Sequence, residues 1–585
     1  MFTAIYLISL SFTCTQCQPI LPLTMPDIQS AASQVLPAMV APMLVHDLIR
    51  ASAQRTPNAE ALVHQDCHLS YSALATAVDA ACAAFLLHDL PRGGRVGVYL
   101  DKRPETVAAI FGASAAGAVF VPINPLLKAE QVGHILADCA VTMLVTSPER
   151  LTHLRGMIER CSALQTVFLV GSPASPAAMP AAGQESGKPR IIDWCQACAD
   201  AVRGNPRDVT AREAPHRMID IDVAAILYTS GSTGKPKGVV LSHRNLVAGA
   251  TSVASYLGNR PDDRILALLP LSFDYGLSQL TTAFTVGATA VLMNHLLPRD
   301  ILTTVIAERI TGLAAVPPLW MQIARLPWPA DCSLRYFTNS GGSMPRALLD
   351  QLRAVLPHAT PFLMYGLTEA FRSTYLPPGE LDRRPDSIGK AVPNAEIMVL
   401  RPDGIACAPG EAGELVHRGA LVALGYWNDP EKTAERFRPI RPLDAALPFP
   451  ELAVWSGDTV RRDEEGFLYF ISRDDDMIKS SGYRISPTEI EEILYADDRI
   501  AEAAAFGVPH PSLGQAIMVV VHLRSGVETD AADLLKACRH LLPGYMVPAK
   551  IIVHNGSLPR NPNGKIDRAL LRVGLQTTFF EASRV

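Results

Sequence analysis

The chain has 585 residues, of which 48% are hydrophobic and 19% are charged, and its formal net charge at pH 7 is −5. This composition is that of a soluble globular protein, and the length exceeds what one hydrophobic core supports, so two or more domains are expected. The slightly acidic balance and the lack of a basic stripe argue against a nucleic-acid-binding protein.

Cysteine usage points to a reducing compartment. The eleven cysteines are an odd number, and most stand singly in apolar surroundings. This pattern favours reduced thiols in the cytoplasm over a disulfide framework. Two C-x-x-C pairs occur, Cys14/Cys17 and Cys195/Cys198, but neither has a histidine or a second pair nearby. We therefore interpret them as incidental thiols rather than zinc ligands.

Residues 1–42 are expected to be an N-terminal extension that is disordered or mis-started. The run from Met1 to Phe12 is apolar but contains no Lys or Arg, whereas a secretory signal begins with basic residues. It is also too short to span a bilayer. We favour a translation start near Met39 or Met43, and a membrane-associating leader remains the alternative. No other segment approaches a transmembrane span.

Beyond this extension, helical and strand patterns alternate. Apolar residues at helical spacing predict a helix over Tyr71–His88 and a small-residue helix over Thr106–Ala116, and apolar runs predict buried strands at Arg95–Leu100 and Ala118–Val121. The alternation continues to about residue 320, which predicts an α/β fold with mostly parallel sheets. The stretch 172–190 is rich in Pro, Ala, Gly and Ser and predicts a surface loop.

A second alternating block runs from Leu334 to Tyr426. In it, a strand-to-turn signal around Asn339 precedes a helix, and an apolar strand from Pro361 ends in a polar, acidic turn. The stretch 387–425 alternates apolar and polar residues and predicts β-hairpins. Three aspartates after Arg473 then break the pattern, and the roughly 110 residues that follow are enough for a separate α+β domain.

One loop carries the pattern of a phosphate-binding site. It joins a predicted buried strand, Val223–Tyr228, to a second at Val239–Leu241, and a helix is expected from Ser242, a good N-cap. Its glycines let consecutive N–H groups converge on an anion, while its hydroxyls add donors and its lysines add charge. The residues concerned are Thr229, Ser230, Gly231, Ser232, Thr233, Gly234, Lys235 and Lys237.

This loop is not a Walker A loop, which has four residues between its glycines and a Ser or Thr after its lysine. Here two residues separate Gly231 from Gly234, and Pro236 follows Lys235.

Four further motifs are ambiguous when each is taken alone. The pair Thr368–Glu369 at a strand end suits a helix cap as well as a metal site, and Asp458 after Gly457 suits a turn. The aspartates after Arg473 suit a solvated face, and Lys565 in a Pro-Asn-Gly-Lys sequence suits an exposed turn. Their occurrence together and in this order is what indicates a functional site.

In this order the motifs resemble those of the adenylate-forming superfamily, which includes acyl-CoA synthetases, luciferases and peptide-synthetase adenylation domains. The resemblance covers about Leu44 to Arg572, and the chain also resembles the acyl-CoA ligases found with bacterial exosortase and exopolysaccharide systems. It rests on five stretches: Tyr228–Gly238, Tyr365–Glu369, Trp455–Arg461, Ser472–Glu491 and Leu558–Arg568.

The resemblance implies a large N-terminal domain of several subdomains, with parallel-rich sheets flanked by helices and a small β-barrel, followed by a small mobile α+β domain. The boundaries it implies are an adenylation core over 43–472, a hinge over 473–475, a mobile domain over 476–572 and a tail over 573–585.

The resemblance also implies a two-step reaction. A carboxylate attacks the α-phosphorus of ATP in the presence of Mg²⁺ to give an acyl-adenylate and pyrophosphate, and a thiol, usually of coenzyme A, then displaces AMP. The expected partners are therefore a carboxylic acid and coenzyme A, or a carrier protein in trans.

The resemblance assigns roles by position. The loop from Thr229 to Lys237 would hold the β- and γ-phosphates, Thr368 would touch the α-phosphate, and Glu369 would hold Mg²⁺. Adenosine would lie against Tyr365, with Gly341 and Gly342 forming part of the adenine slot and with Asp458 and Arg473 at the ribose. Lys565 would serve the first step, and the face that bears Lys479, Gly482 and Arg484 would serve the second after rotation about Asp475.

Two positions depart from the usual motifs. The hinge signature reads Ser472-Arg473 rather than Gly-Arg, and little functional loss is expected because the arginine is kept. Asp274 follows Phe273 where amino-acid-activating relatives place a carboxylate for the substrate ammonium. It either marks an amino or polar acid substrate or caps a helix that begins near Tyr275. The pocket for the acyl substrate, here called the acid pocket, is expected around the stretches 273–278, 316–320 and 339–342. A non-catalytic nucleotide-binding protein is disfavoured, because a fold alone does not require the acidic and basic residues of the motifs.

Overall fold

The computed structural model describes residues 42–171, 188–203, 217–229, 236–342, 344–440, 451–473, 477–524, 526–527, 529–560 and 566–579. The predicted loop at 172–190 and the predicted extension at 1–42 lie almost wholly outside these ranges, as do the hinge residue Asp475 and Lys565. In the part of the chain that is described, no helix is long and apolar enough to cross a membrane, and its nine cysteines are free thiols.

The described helices are α1 Asp47–Arg55, α2 Tyr71–Leu87, α3 Pro104–Ala115, α4 Ala129–Asp138, α5 Pro148–Ile158, α6 Trp194–Arg203, α7 His243–Leu257, α8 Asp274–Val286, α9 Pro298–Ala307, α10 Pro317–Ile323, α11 Arg346–Val355, α12 Pro430–Arg436, α13 Pro487–Tyr495, α14 Ala531–Leu541 and α15 Arg568–Val573. Short 3₁₀ turns cover Thr368–Ala370, Pro378–Glu380 and Gly544–Met546.

The strands are β1 Glu60–His64, β2 Cys67–Ser70, β3 Arg95–Tyr99, β4 Val119–Pro122, β5 Met143–Thr146, β6 Thr166–Leu169, β7 Arg190–Asp193, β8 Val223–Thr229, β9 Lys237–Ser242, β10 Arg264–Ala267, β11 Thr289–Leu292, β12 Gly312–Ala315, β13 Tyr336–Asn339 and β14 Thr360–Tyr365. They continue with β15 Thr374–Leu376, β16 Lys390–Ala391, β17 Ala395–Leu400, β18 Ala412–Gly419, β19 Gly425–Tyr426, β20 Phe437–Pro439, β21 Leu452–Arg462, β22 Leu468–Arg473, β23 Ile478–Ser480, β24 Tyr483–Ile485, β25 Ile500–His510, β26 Gly514–Leu523 and β27 Lys550–Val553.

Two large sheets form the body of the N-terminal domain. One has the order β16-β15-β14-β13-β12-β10-β11-β1-β2 and the other the order β19-β9-β8-β4-β3-β5-β6-β7. Their inner strands pair in parallel, as the alternation of helices and strands predicts, whereas β2, β15, β16, β9 and β19 add antiparallel edges. Helices between parallel strands cover the sheet faces, and this buries the apolar runs on both sides.

Two smaller sheets complete the fold. The predicted hairpins after residue 387 form an antiparallel sheet of β17, β18, β20, β21 and β22, where the small barrel was expected. After the aspartate run, β23 to β27 form a separate sheet with its own apolar core, which gives the small C-terminal α+β domain. The α/β fold with one large and one small domain is therefore confirmed.

Candidate active site

The two strands that border the predicted phosphate loop are an antiparallel pair. In β8 and β9, Thr229 lies opposite Lys237, so the loop leaves and returns at neighbouring positions. Residues 230–235, which carry most of the predicted donors, lie outside the described residues. The helix predicted after Ser242 is confirmed: the Ser242 hydroxyl accepts a bond from the Asn245 backbone at 3.2 Å, and the Asn245 side chain accepts one from the Ser242 backbone at 2.8 Å.

Lys237 and Glu369 meet at the base of this loop. The Lys237 ammonium lies 3.4 Å from the nearer Glu369 carboxylate oxygen and 3.8 Å from the centroid of the Tyr426 ring. The Tyr426 hydroxyl donates to the same carboxylate oxygen at 2.6 Å. Tyr426 reaches this place because β19 pairs with β9, where Tyr426 lies opposite Val239. One carboxylate is thus held by an ammonium and a phenol.

Glu369 is ionised although it is buried. Burial raises the pKa of its carboxyl, but the charges of Lys237, Arg436 and Arg484 outweigh that effect and hold the pKa well below its usual range. The pKa of Lys237 is lowered to about 8, chiefly by burial. The charge of Glu369 opposes this effect, whereas the charges of Arg436 and Arg484 add to it. This excess of positive charge around one carboxylate suits a polyanionic ligand.

Tyr365 and Asp458 form a second polar pair. The Tyr365 hydroxyl, at the end of β14, donates to Oδ2 of Asp458 in β21. Asp458 is almost fully buried, and its backbone N–H donates to the Ser456 hydroxyl at 3.1 Å. Arg473 lies opposite Asp458 in the β21–β22 pairing; its side chain is not among those described.

Arg436 connects these two pairs. It ends α12, and its guanidinium lies against Gly457, where an added Cβ would come within 2.6 Å of Nη1. Its pKa is raised, because the charges of Glu369 and Asp458 and the contact with Tyr426 outweigh the opposing effect of burial.

The predicted adenine slot and acid pocket meet at the end of β13. Gly341 adopts a φ of +78°, which favours glycine, and an added Cβ on Gly342 would lie 3.1 Å from the ring of Pro317. Across from them, the Thr368 hydroxyl approaches Asp274 at 3.4 Å.

The expectation that Asp274 caps a helix beginning near Tyr275 is wrong. The N-cap is Phe273, and Asp274 is the first residue of α8. A carboxylate in the first turn is favoured by the helix dipole, although burial raises its pKa.

A hairpin of the C-terminal domain lies against this pocket. Strands β23 and β24 pair Lys479 with Arg484, and the turn between them places Gly482 in contact with Val316 and its carbonyl near Gly341. The Tyr483 ring meets Phe273 edge-on with centroids 5.4 Å apart. Of the predicted hairpin residues, Gly482 reaches the pocket wall and Arg484 acts electrostatically on Glu369, whereas the Lys479 side chain is exposed.

Polar contacts join the two domains beside the hairpin. The Gln131 amide of α4 donates to a Glu489 oxygen of α13 at 2.7 Å and contacts the sulfur of Met546 at 3.7 Å. Burial raises the pKa of Glu489 to about 7. The hairpin is therefore held at the pocket by interactions outside it as well as by its own packing.

Three site residues were missed from the sequence: Tyr426, Arg436 and Arg372. Tyr426 has the pattern of an aromatic residue in a strand, and Arg436 that of the last-turn arginine of a polar helix. Arg372 follows the Thr368–Glu369 pair and is nearly fully buried, which sequence charge alone does not signal. No spacing rule marks any of them.

Comparisons with known proteins match both domains. Residues 49–427 match the family model of the AMP-binding enzyme, and residues 489–565 match that of the AMP-binding enzyme C-terminal domain. An L-proline--[L-prolyl-carrier protein] ligase of Pseudomonas fluorescens is 30% identical over 540 residues, which are 90% of this chain and 98% of the relative. A feruloyl-CoA synthase of Amycolatopsis is 31% identical over 89% of this chain and 96% of the relative.

Among solved structures, o-succinylbenzoate CoA synthetase (MenE) of Bacillus subtilis, bound with its product analogue OSB-NCoA, is similar to this chain with a TM-score of 0.74 and 25% identity. The similarity covers 90% of this chain and 98% of the MenE chain.

Proposed function

Because the chain belongs to the AMP-binding enzyme family, whose members are adenylate-forming ligases, we propose that it is an AMP-forming acid–thiol ligase that joins a carboxylic acid to coenzyme A. In the first step a substrate carboxylate oxygen bonds to the α-phosphorus of ATP, and pyrophosphate leaves. In the second step the thiol sulfur bonds to the acyl carbon, AMP leaves, and the thiol proton passes to solvent.

The observation that carries this proposal is the cluster of Lys237, Arg436 and Arg484 around the ionised Glu369. Both steps pass through crowded negative charge on phosphate, so fixed cations in a dry site stabilise their transition states. Lys237 and Arg436 belong to the large domain and Arg484 to the small one. Because the cluster draws its cations from both domains, it supports a phosphate site that is formed by both domains.

The residues present fit Mg²⁺. Glu369 offers a hard oxygen ligand that stays ionised, and Tyr426 and Lys237 fix its orientation. Magnesium in nucleotide sites is commonly bound by one or two carboxylates together with substrate phosphates. When bound there, Mg²⁺ would neutralise charge on the phosphates. The loop from Thr229 through residues 230–235 to Lys237 would hold the β- and γ-phosphates from the other side.

Adenosine would occupy the side of the site that holds Tyr365 and Asp458. The Tyr365 ring would lie against adenine, in a slot that Gly341 and Gly342 keep open. Asp458 would accept bonds from the ribose hydroxyls, helped by Arg473. Support comes from the burial of Asp458 and from its bond with Tyr365, which orients a carboxylate that can accept further donors.

The second step would use the hairpin of the C-terminal domain. Thr368 would contact the α-phosphate in both steps, and Lys565 would bridge the acid and the phosphate in the first step only. Rotation about the hinge at 473–475 would exchange Lys565 for the face that carries Lys479, Gly482 and Arg484. The contact of Gly482 with Val316 supports a role for the hairpin in shaping the thiol path.

The test is a panel of carboxylic acids assayed by ATP–pyrophosphate exchange and then by AMP release with and without coenzyme A. We expect exchange with the acid alone and thioester formation only when coenzyme A is added. If exchange occurs but no thioester forms when coenzyme A is added, coenzyme A is not the acceptor. No exchange with any acid would reject the ligase itself.

A second candidate is a free-standing ligase that loads an amino acid onto a carrier protein. It is favoured by Asp274, whose half-buried carboxylate lies beside Thr368 and would suit a substrate ammonium. It is also favoured by the similarity to the prolyl-carrier protein ligase. Exchange assays with amino acids and their unsubstituted counterparts distinguish the two, since equal activity in both series would exclude a role for Asp274 in amine recognition.

A further inference from the structure

Arg372 is a buried cation that the proposed reaction does not use. The residue is 2% exposed. Its Nη1 donates to the Ser340 hydroxyl at 3.2 Å, and its guanidinium lies 4.7 Å from the centroid of the Tyr275 ring. Its Nε is buried and has no hydrogen-bond partner among the described residues. Among the residues that the structure describes, no carboxylate comes within ion-pair distance of this guanidinium.

The backbone holds Arg372 in this position. The preceding residue, Phe371, has a φ of +54°, which is unusual for a residue with a side chain. Its fully buried ring packs so closely on α7 that a Cβ on Gly249 would come within 2.3 Å of it. On the other side, a Cβ on Gly366 would lie 3.2 Å from the Arg372 Cα. The backbone at Arg372 is therefore held in place by packing on both sides.

The contacts of Arg372 belong to the walls expected for the acid pocket. Tyr275 lies in the first turn of α8, within the stretch 273–278, and Ser340 immediately precedes Gly341 and Gly342. Arg372 itself follows the turn that carries Thr368 and Glu369. A fixed positive charge thus lies against two of the expected walls of the acid pocket, in addition to the cations assigned to phosphate.

Among the described residues, none neutralises this charge by direct contact. Asp274 interacts with Arg372 electrostatically, which lowers the pKa of Asp274 against the larger raising effect of burial, but the two form no ion pair. The two phenols that interact with Arg372, Tyr256 and Tyr275, stay neutral because burial raises their pKa values. A buried cation without a bonded anion is costly, so this one favours an anionic ligand.

On these observations, and resting on the proposed function, we infer that the acid substrate carries a second carboxylate, which Arg372 binds while the first carboxylate reacts with ATP. A planar guanidinium suits this role because its parallel N–H groups match the two oxygens of a carboxylate. Nε, which has no partner in the described structure, supplies one of these donors.

The first test compares matched acids on the unmodified enzyme by ATP–pyrophosphate exchange. Succinate, glutarate, adipate and the benzene dicarboxylates are each paired with the monocarboxylic acid in which a methyl group or a hydrogen replaces the second carboxylate. We expect at least one diacid to exceed its partner by about 100-fold or more in kcat/KM, because the partner leaves buried donors unpaired. If every monoacid equals or exceeds its diacid partner, the inference is wrong.

The second test measures the same diacid-to-monoacid ratio in variants. Arg372→Gln should bring the ratio close to one, and Arg372→Lys should keep part of it, because the charge remains while the planar fork is lost. Arg353→Gln is the matched control, since Arg353 is a partly exposed arginine paired with Asp382, and it should leave the ratio unchanged. A ratio that survives in Arg372→Gln would assign Arg372 a packing role and refute the inference.

Failure of this inference is separable from failure of the proposed function. If monoacids support exchange and diacids do not, only the second carboxylate is rejected. If no acid of either class supports exchange, the ligase assignment falls and this inference falls with it. Should Arg372→Gln not fold, the comparison on the unmodified enzyme and the Arg372→Lys variant still decide the outcome.

Discussion

Replacement of Gly482 by alanine should slow the second half-reaction and spare the first. Gly482 has a φ of +81°, and an added Cβ would lie 2.6 Å from Cγ2, 2.9 Å from Cβ and 3.1 Å from Cγ1 of Val316. An alanine at this positive φ is strained by about 1 kcal/mol. This strain is the same in the docked and the undocked hairpin, so it does not change the docking equilibrium. The clash exists only when the hairpin is against Val316, and overpacking of this kind costs about 1–3 kcal/mol.

This cost predicts a loss of about 5- to 150-fold in the docked population, since each 1.4 kcal/mol is a factor of ten. The assay is single-turnover thioester formation from a supplied acyl-adenylate and coenzyme A, with pyrophosphate exchange as the measure of the first step. Gly556→Ala is the matched control, because Gly556 has a φ of +91° and no atom of the described residues lies within 4 Å of its added Cβ.

A second substitution tests whether the clash is the cause. Val316→Ala removes the methyl groups at 2.6 and 3.1 Å from the new Cβ but keeps the Val316 Cβ at 2.9 Å. The double variant should therefore regain part of the thioester rate that Gly482→Ala loses. Equal losses in both half-reactions, or the same loss in Gly556→Ala, would refute the docking argument and leave only backbone strain as the explanation.

Further predictions concern the first step, the hinge and acid stability. Lys565→Ala should reduce adenylation by roughly 10²–10³-fold, as expected for loss of one transition-state donor, while thioester formation from a supplied acyl-adenylate persists; equal losses would exclude domain alternation. Asp475→Pro should keep pyrophosphate exchange and abolish the thioester step, and an unchanged overall turnover would remove Asp475 as the hinge. Glu369→Gln should raise the Mg²⁺ concentration needed for half-maximal exchange, and an unaltered Mg²⁺ dependence would reject the metal assignment. Burial lowers the pKa values of His46 and His243 to about 4 in the folded protein. As the pH falls below about 6.5, these histidines take up protons in the unfolded chain but not in the folded one. The free energy of unfolding should therefore fall between pH 6.5 and 4, by roughly 3 kcal/mol per histidine. Denaturant titrations across that range should show a shallower fall in His46→Gln, and identical slopes would contradict this origin.

The elements of the fold were predictable where local rules decide them. The alternation of apolar runs and helical spacing gave the parallel inner strands, and Ser242 marked the start of α7 through its cap. The start of α8 was not predictable in the same way. N-cap preferences favour a short polar residue, which pointed to Asp274, whereas the structure uses Phe273 and turns Asp274 toward Thr368. Here a tertiary contact outweighs a local preference.

The site was predictable only for residues that belong to recurrent motifs. Lys237, Glu369, Tyr365 and Asp458 lie in such motifs, and the structure brings them together in two pairs. The partners that set their charge come from elsewhere: Arg436 is brought to Glu369 by packing of α12 beside β21, which no spacing along the chain encodes. The charge balance of a buried site depends on which residues the fold brings together, and amino-acid composition does not predict it.

The position of Arg484 links nucleotide charge to the arrangement of the domains. Lys237 and Arg436 already surround Glu369, and Arg484 adds a third positive charge that lowers the pKa of Lys237 further. With two fixed cations and one carboxylate, approach of the hairpin is opposed by repulsion unless an additional anion lies in the site. In the proposed reaction a phosphate group of the adenylate would supply that anion, and a ligand that interacts better with the docked state shifts the equilibrium toward it. We therefore expect the product of the first step to favour docking of the hairpin, in the order that the two proposed half-reactions require.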